Sequence, residues 1–250
     1  MAIFKSGNPA LKQAAFSGFA ETVDEQNVMT LQGTVNKTGL LLLTLFITAM
    51  FVWQRFSVAD DFSAVAPYLM VGLFGGLITG IVLVFKKNLA QYLAVLYAAF
   101  EGLVLGGLSA MMEAAYPGIV VEALLLTFGI FACLLLIYKM EIIKPSENFK
   151  LIVASATGGI AFYYLISLGA SLFGMRLPLV NDNSVGGIIF SVFVVIVAAM
   201  NLVVDFDFIE QGAANKVPKF MEWYGAFGLI VTMVWLYIEI LRLLAKTRRR

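Results

Sequence analysis

The stretch Asn183–Val204, NSVGGIIFSVFVVIVAAMNLVV, runs for 22 residues without a charge and then meets Asp205-Phe206-Asp207-Phe208-Ile209-Glu210. An uncharged apolar segment of this length crosses a bilayer as a helix, since ~20 residues at 1.5 Å rise cover the ~30 Å hydrocarbon core. Residues 62–85 and 151–175 are free of charge in the same way. The chain is 61% apolar, with a mean hydropathy of +0.91. Charged residues between the apolar windows divide the 250 residues into seven spans, at 38–57, 66–85, 89–112, 119–138, 150–174, 185–209 and 223–245. The fold class expected is therefore all-α, a polytopic membrane helix bundle of seven transmembrane helices. A polar tail (1–37) precedes the bundle (38–246), and a basic tail (247–250) follows it. The first tail lacks the basic start and apolar core of a signal peptide and carries an acidic cluster at Glu21, Asp24 and Glu25.

Composition removes several classes of function. A net charge of +1 offers no concentrated basic face for phosphates, so no nucleic-acid partner is expected. The lone Cys133 sits in an apolar run, which excludes an internal disulfide framework and a thiolate metal cluster. No resident cofactor is expected. Histidine is absent, so a response to pH near neutrality would have to come from carboxylates or lysines altered by burial and neighbours.

Five carboxylates lie inside or at the ends of apolar stretches: Glu101, Glu122, Asp205, Asp207 and Glu239. A charge near the bilayer centre costs about 2.5–3.5 kcal/mol on insertion scales, so such residues face a bundle interior or an aqueous path. Asp205 and Asp207 are two residues apart, about 200° around a helix, and cannot both point at one site. Asn201 precedes Asp205 by one turn and shares its face, whereas Asp207 sides with Glu210 nearer the loop. In the last span Trp235, Glu239, Arg242 and Lys246 fall on one face. Snorkelling to the headgroups suffices for Arg242 and Lys246; Glu239 lies about four turns in and remains costly. Glu101, beside Gly102 in mid-span, belongs either to an ion path or to interhelical hydrogen bonding.

Small residues recur at helical spacing as Gly72, Gly76, Gly80 and as Gly102, Gly106, Ala110, which suggests that spans two and three pack closely on each other. Trp53, Trp223 and Tyr224 near span ends read as interface anchors. A cytoplasmic N-tail leaves only Arg55 and Arg176 in the outer loops of the first six spans, but a full seventh crossing would strand Arg242, Lys246 and Arg248-Arg249-Arg250 outside. Length favours crossing and charge favours return.

The sixth-span VDFDFIE (204–210), paired with the final LYIEILRLL (236–244) and with FEGLVLGGLS (100–109), resembles the Bax-inhibitor/YccA-like family, also called the transmembrane Bax inhibitor motif family, in its longer bacterial branch. The resemblance covers about residues 36–246. It implies a bundle with the last helix central and a pH-sensitive calcium leak in a multi-pass protein of the bacterial cytoplasmic (inner) membrane. It further implies that two acids, here Asp205 and Glu239, share a proton and engage a basic residue at the end of helix two, here Lys86. Compact members carry Asp and Arg where this chain has Glu239 and Lys86, and lysine lacks the planar fork of arginine. Two carboxylates in one low-dielectric site resist joint ionisation, so a proton can act as the switch. The site expected is Asp205, Glu239, Lys86, Glu101 and Asn201, with Asp207, Glu210 and Arg242 secondary. Asp205 and Glu239 would be the calcium contacts, calcium being cargo, with Asn201, backbone carbonyls and water supplying further oxygens.

Three other classes compete, one of them a proton-coupled secondary transporter, which saturable uptake of a solute would reveal. An intramembrane protease needs a Ser–His pair or facing aspartates in a Gly-x-Gly-Asp context, both missing here, so the chain is expected not to be an enzyme. A regulator whose tail docks a quality-control membrane protease or another membrane complex is also allowed by the resemblance. The partners common to both are the lipid bilayer and, for the leak, cations.

Overall fold

The computed structural model describes residues 27–59, 61–175, 177–180 and 182–248. The acidic cluster of the tail, Arg176, Arg249 and Arg250 lie outside the described residues. The helices are α1 (Leu31–Ala59), α2 (Ala66–Phe85), α3 (Ala90–Ala115), α4 (Ile119–Lys139), α5 (Glu147–Leu172), α6 (Val185–Ala214) and α7 (Met221–Arg248). All seven are long and apolar enough to cross a membrane.

Local chemistry sets the helix starts. Thr30 caps α1, its hydroxyl accepting from Gly33 N at 2.9 Å, so the helix begins at Leu31 rather than at residue 38 as the hydropathy predicts. Ser146 caps α5 by accepting from Phe149 N at 3.2 Å, and Ser184 caps α6 by accepting from Gly187 N at 3.2 Å. The α3–α4 turn passes through Gly118 at φ +83°, a left-handed conformation that a Cβ would oppose.

Two compact units are resolved along the chain. One comprises Gly118–Phe206 with 232–248, and the other 27–117 with Asp207–Val231.

In the second of these, α3 packs on both α1 and α2. The glycine stripe of α2 lies against α3 as expected: a Cβ on Gly72 would stand 2.6 Å from the Phe100 carbonyl. The stripe of α3 turns elsewhere. A Cβ on Gly102 would collide with Thr48 and the Leu45 carbonyl, and one on Gly106 with the Ala49 carbonyl, so this stripe seats α1. Helices in lipid gain little from burying apolar surface against each other, and close backbone approach is what these glycines supply. The segment before α1 is tied down too, with Met29 N donating to Val217 O at 2.7 Å and Lys219 N to Asn27 O at 2.9 Å.

The unit containing α4 and α5 has a core of Ile160, Val194 and Val197, flanked by Tyr164, Phe190 and Trp235. Phe206 sets its ring edge-on to Phe131 at 5.6 Å. Burial differs sharply among the helices: 67% of the apolar window of α7 is buried, against 11% for α5. The last helix is thus the most buried of the seven, although it carries Glu222, Glu239, Arg242 and Lys246.

Candidate functional site

Polar groups inside the α4–α5 unit form a file along α7. Asp205, fully buried at 0% exposure, accepts from Thr232 Oγ1 through Oδ2 at 2.5 Å. One turn earlier on α6, Asn201 Nδ2 donates to Thr157 Oγ1 at 2.8 Å and to the Val197 carbonyl at 2.9 Å. Glu239 is 1% exposed. Its Oε1 accepts from the Tyr164 hydroxyl at 2.9 Å and from Arg242 Nη1 at 2.9 Å, and the same Nη1 reaches Oε2 at 3.0 Å. Arg242 also donates to the Tyr164 hydroxyl at 2.8 Å and stands over its ring, 5.2 Å from the centroid, closing a triangle of carboxylate, guanidinium and phenol.

The two carboxylates expected to share a proton each accept from a hydroxyl, Asp205 from Thr232 and Glu239 from Tyr164. Thr232 and Glu239 lie seven residues apart on one face of α7, about 10 Å along the axis. Asp205 accepts from the Thr232 hydroxyl, and Glu239 meets a cation whose intrahelical spacing was evident in the sequence. Tyr164 and Thr232 escaped the sequence reading. Both are ordinary members of apolar helices, and only the tertiary register of α5 and α6 against α7 assigns them a partner.

Lys246 departs from expectation most clearly. Instead of snorkelling to a headgroup it is 4% exposed, with Nζ donating to the carbonyls of Leu179 at 2.6 Å and Gly187 at 3.0 Å and to Ser191 Oγ at 2.9 Å. Three acceptors satisfy the three donors of an ammonium, so the charge stays inside the protein. Beside this cage the Ser184 hydroxyl and backbone hold the exposed Asp182 carboxyl below the usual carboxylate range, and the Lys246 charge adds to the effect. Glu122, at the start of α4, is exposed and pairs with Arg248 Nη2 at 2.7 Å. The end of α7 thus reaches the start of α4 and the α5–α6 loop.

The remaining candidates belong to the unit containing α1–α3. Glu101 is half-buried against Gly76, where a Cβ would stand 3.1 Å from Oε1, and it accepts from the Tyr97 hydroxyl. The Tyr97 ring in turn sits edge-on to Phe227 at 4.8 Å. Lys86 ends α2 with its side chain exposed; its neighbour Lys87 turns inward, 5.5 Å from the ring of Tyr224. Tyr224, read from sequence as an interface anchor, is fully buried. Asp207 Oδ2 accepts from Gln211 Nε2 at 2.6 Å, on a different side of α6 from Asp205, and Glu210 is exposed. Among the described residues no three His, Cys, Asp or Glu side chains come together as a metal cluster.

One buried acid went unrecognised in the sequence. Glu222, 1% exposed in the first turn of α7, pairs with Lys37 and accepts from Thr30 N and Thr30 Oγ1, both at 2.9 Å. Gly33 is required beside it, since a Cβ there would collide with the carboxylate. Its place at the span edge beside Trp223 made it resemble a headgroup residue, and only the packing of α1 distinguishes the two cases.

Seven apolar helices that enclose a few buried charged side chains define a multi-pass α-helical integral membrane protein. A sequence model described as Bax inhibitor 1 like matches residues 8–249, nearly the whole chain, and the protein belongs to that family. No curated protein matches the chain in a direct sequence search.

Proposed function

We propose that this protein is a proton-regulated cation leak of a bacterial cytoplasmic membrane, carrying calcium, with Asp205 and Glu239 as its charged stations. The observation that supports this most is the alignment of two carboxylates, 0% and 1% exposed, on one polar file inside apolar helices. Such burial costs several kcal/mol unless it serves a path or a structural pair. The Glu239–Arg242–Tyr164 triangle is a sufficient structural pair, and Asp205 accepts from the Thr232 hydroxyl on the same file. Ionised, Asp205 attracts a cation, and the Thr232 hydroxyl, Asn201 and water supply the additional hard oxygens that calcium takes. Protonated, it offers a passing ion a neutral group. Loss of charge on Glu239 would remove its hold on Arg242, so one signal reaches both acids.

The test is calcium entry into dye-loaded liposomes containing the purified protein, across a pH series. The proposal expects protein-dependent flux that changes with pH. Flux equal to that of protein-free vesicles at every pH would overturn it.

A further inference from the structure

Lys246 Nζ sits in a cage of three oxygens. Its walls are two backbone carbonyls, from Leu179 in the α5–α6 loop and Gly187 in the first turn of α6, together with the Ser191 hydroxyl one turn further on. Contacts of 2.6–3.0 Å from three oxygens suit an ammonium, and they equally suit a dehydrated monovalent cation such as potassium, which carbonyl rings coordinate in selectivity filters. The backbone on both sides is held independently of the lysine. Ser184 caps α6 through Gly187 N at 3.2 Å, and Asp182 accepts from Ser184 N at 3.0 Å.

The position of the cage gives it a role. Thr232, Glu239, Arg242 and Lys246 lie along α7, so the polar file that starts at Asp205 runs about 20 Å to the ammonium. Acids occupy its deeper part and a fixed cation fills its loop-side end. A tethered ammonium in that place occupies the oxygens that an entering cation would need and repels the ion itself. A lysine serving only to staple the loop would be satisfied at the headgroups, where the desolvation cost is small.

We propose that the Leu179–Gly187–Ser191 cage is a binding site for a monovalent cation or primary ammonium, occupied in the resting protein by Lys246 as a built-in plug of the file. The plug role rests on the leak reading, whereas the site itself does not.

Two arms of one experiment separate them. In the first, thermal unfolding of the purified full chain is measured in methylammonium chloride and in N-methylglucamine chloride of equal ionic strength, the latter cation being too bulky for the cage. Lys246→Ala is expected to gain a few degrees from methylammonium, while the wild type and Lys246→Met, whose side chain fills the space, gain nothing. No differential gain would overturn the site, and so would a Lys246→Ala protein that aggregates whether or not methylammonium is present during purification. In the second arm, Lys246→Ala liposomes are expected to pass cations several-fold faster than wild type, and methylammonium to slow them again. A gain in the thermal arm with unchanged flux would overturn the plug and leave the site standing. Absence of flux from wild type and variant alike would overturn the leak reading together with the plug.

Discussion

Thr232 is a donor to the buried Asp205. A buried carboxylate oxygen that loses its donor costs ~1–3 kcal/mol, and Val has nearly the shape of Thr without the hydroxyl. Thr232→Val should therefore lower the thermal midpoint of the purified protein and also displace the pH profile of calcium flux, whereas a purely structural contact would change the midpoint alone. Glu222 makes a different prediction, because its partner Lys37 is charged. Removing one member of a buried ion pair leaves the other uncompensated at ~3–5 kcal/mol, so Glu222→Ala and Lys37→Ala should each destabilise strongly. The double substitution should cost clearly less than the sum of the two, as read by a thermal double-mutant cycle. Strict additivity would mean that the pair carries no coupling.

The helices differ in what their glycines do, and stability should follow. At Gly102 a Cβ meets α1 with no room, whereas Gly158 on α5 has nothing within 4 Å of that position. Gly102→Ala should thus cost ~1–3 kcal/mol through overpacking. Gly158→Ala should be neutral or stabilising by up to ~1 kcal/mol, since alanine is the better helix former. Thermal melts of the two variants in one detergent check this, and equal effects would contradict the packing assigned to α3. The stripe of α3 was legible as a stripe, because four-residue spacing is a property of one helix. Its partner was not legible. Gly102 and Gly106 face α1 while Phe100 and Val104 of the same helix face α2, and only tertiary packing separates those faces.

For the whole molecule, seven helices and their order could be read from hydropathy, because bilayer thickness fixes span length whatever the packing. The buried placement of Asp205 and Glu239 was legible for a related reason: the cost of a charge in lipid forces it inward. Partners were not, since Tyr164, Thr157 and Thr232 become polar contacts only once α5, α6 and α7 are in register. The described C-terminal cations find partners in the same way. Arg242 pairs with Glu239, Lys246 sits in its oxygen cage and Arg248 pairs with Glu122, so α7 carries its cations along its full length already compensated. In the function proposed, a proton on Asp205 controls cation passage along this helix. Calcium flux into dye-loaded liposomes, compared across a pH series for the wild type and Asp205→Asn, tests it most directly. The Asn variant should lose the pH dependence of the wild type, and an Asn variant with an unaltered pH profile would contradict that role of Asp205.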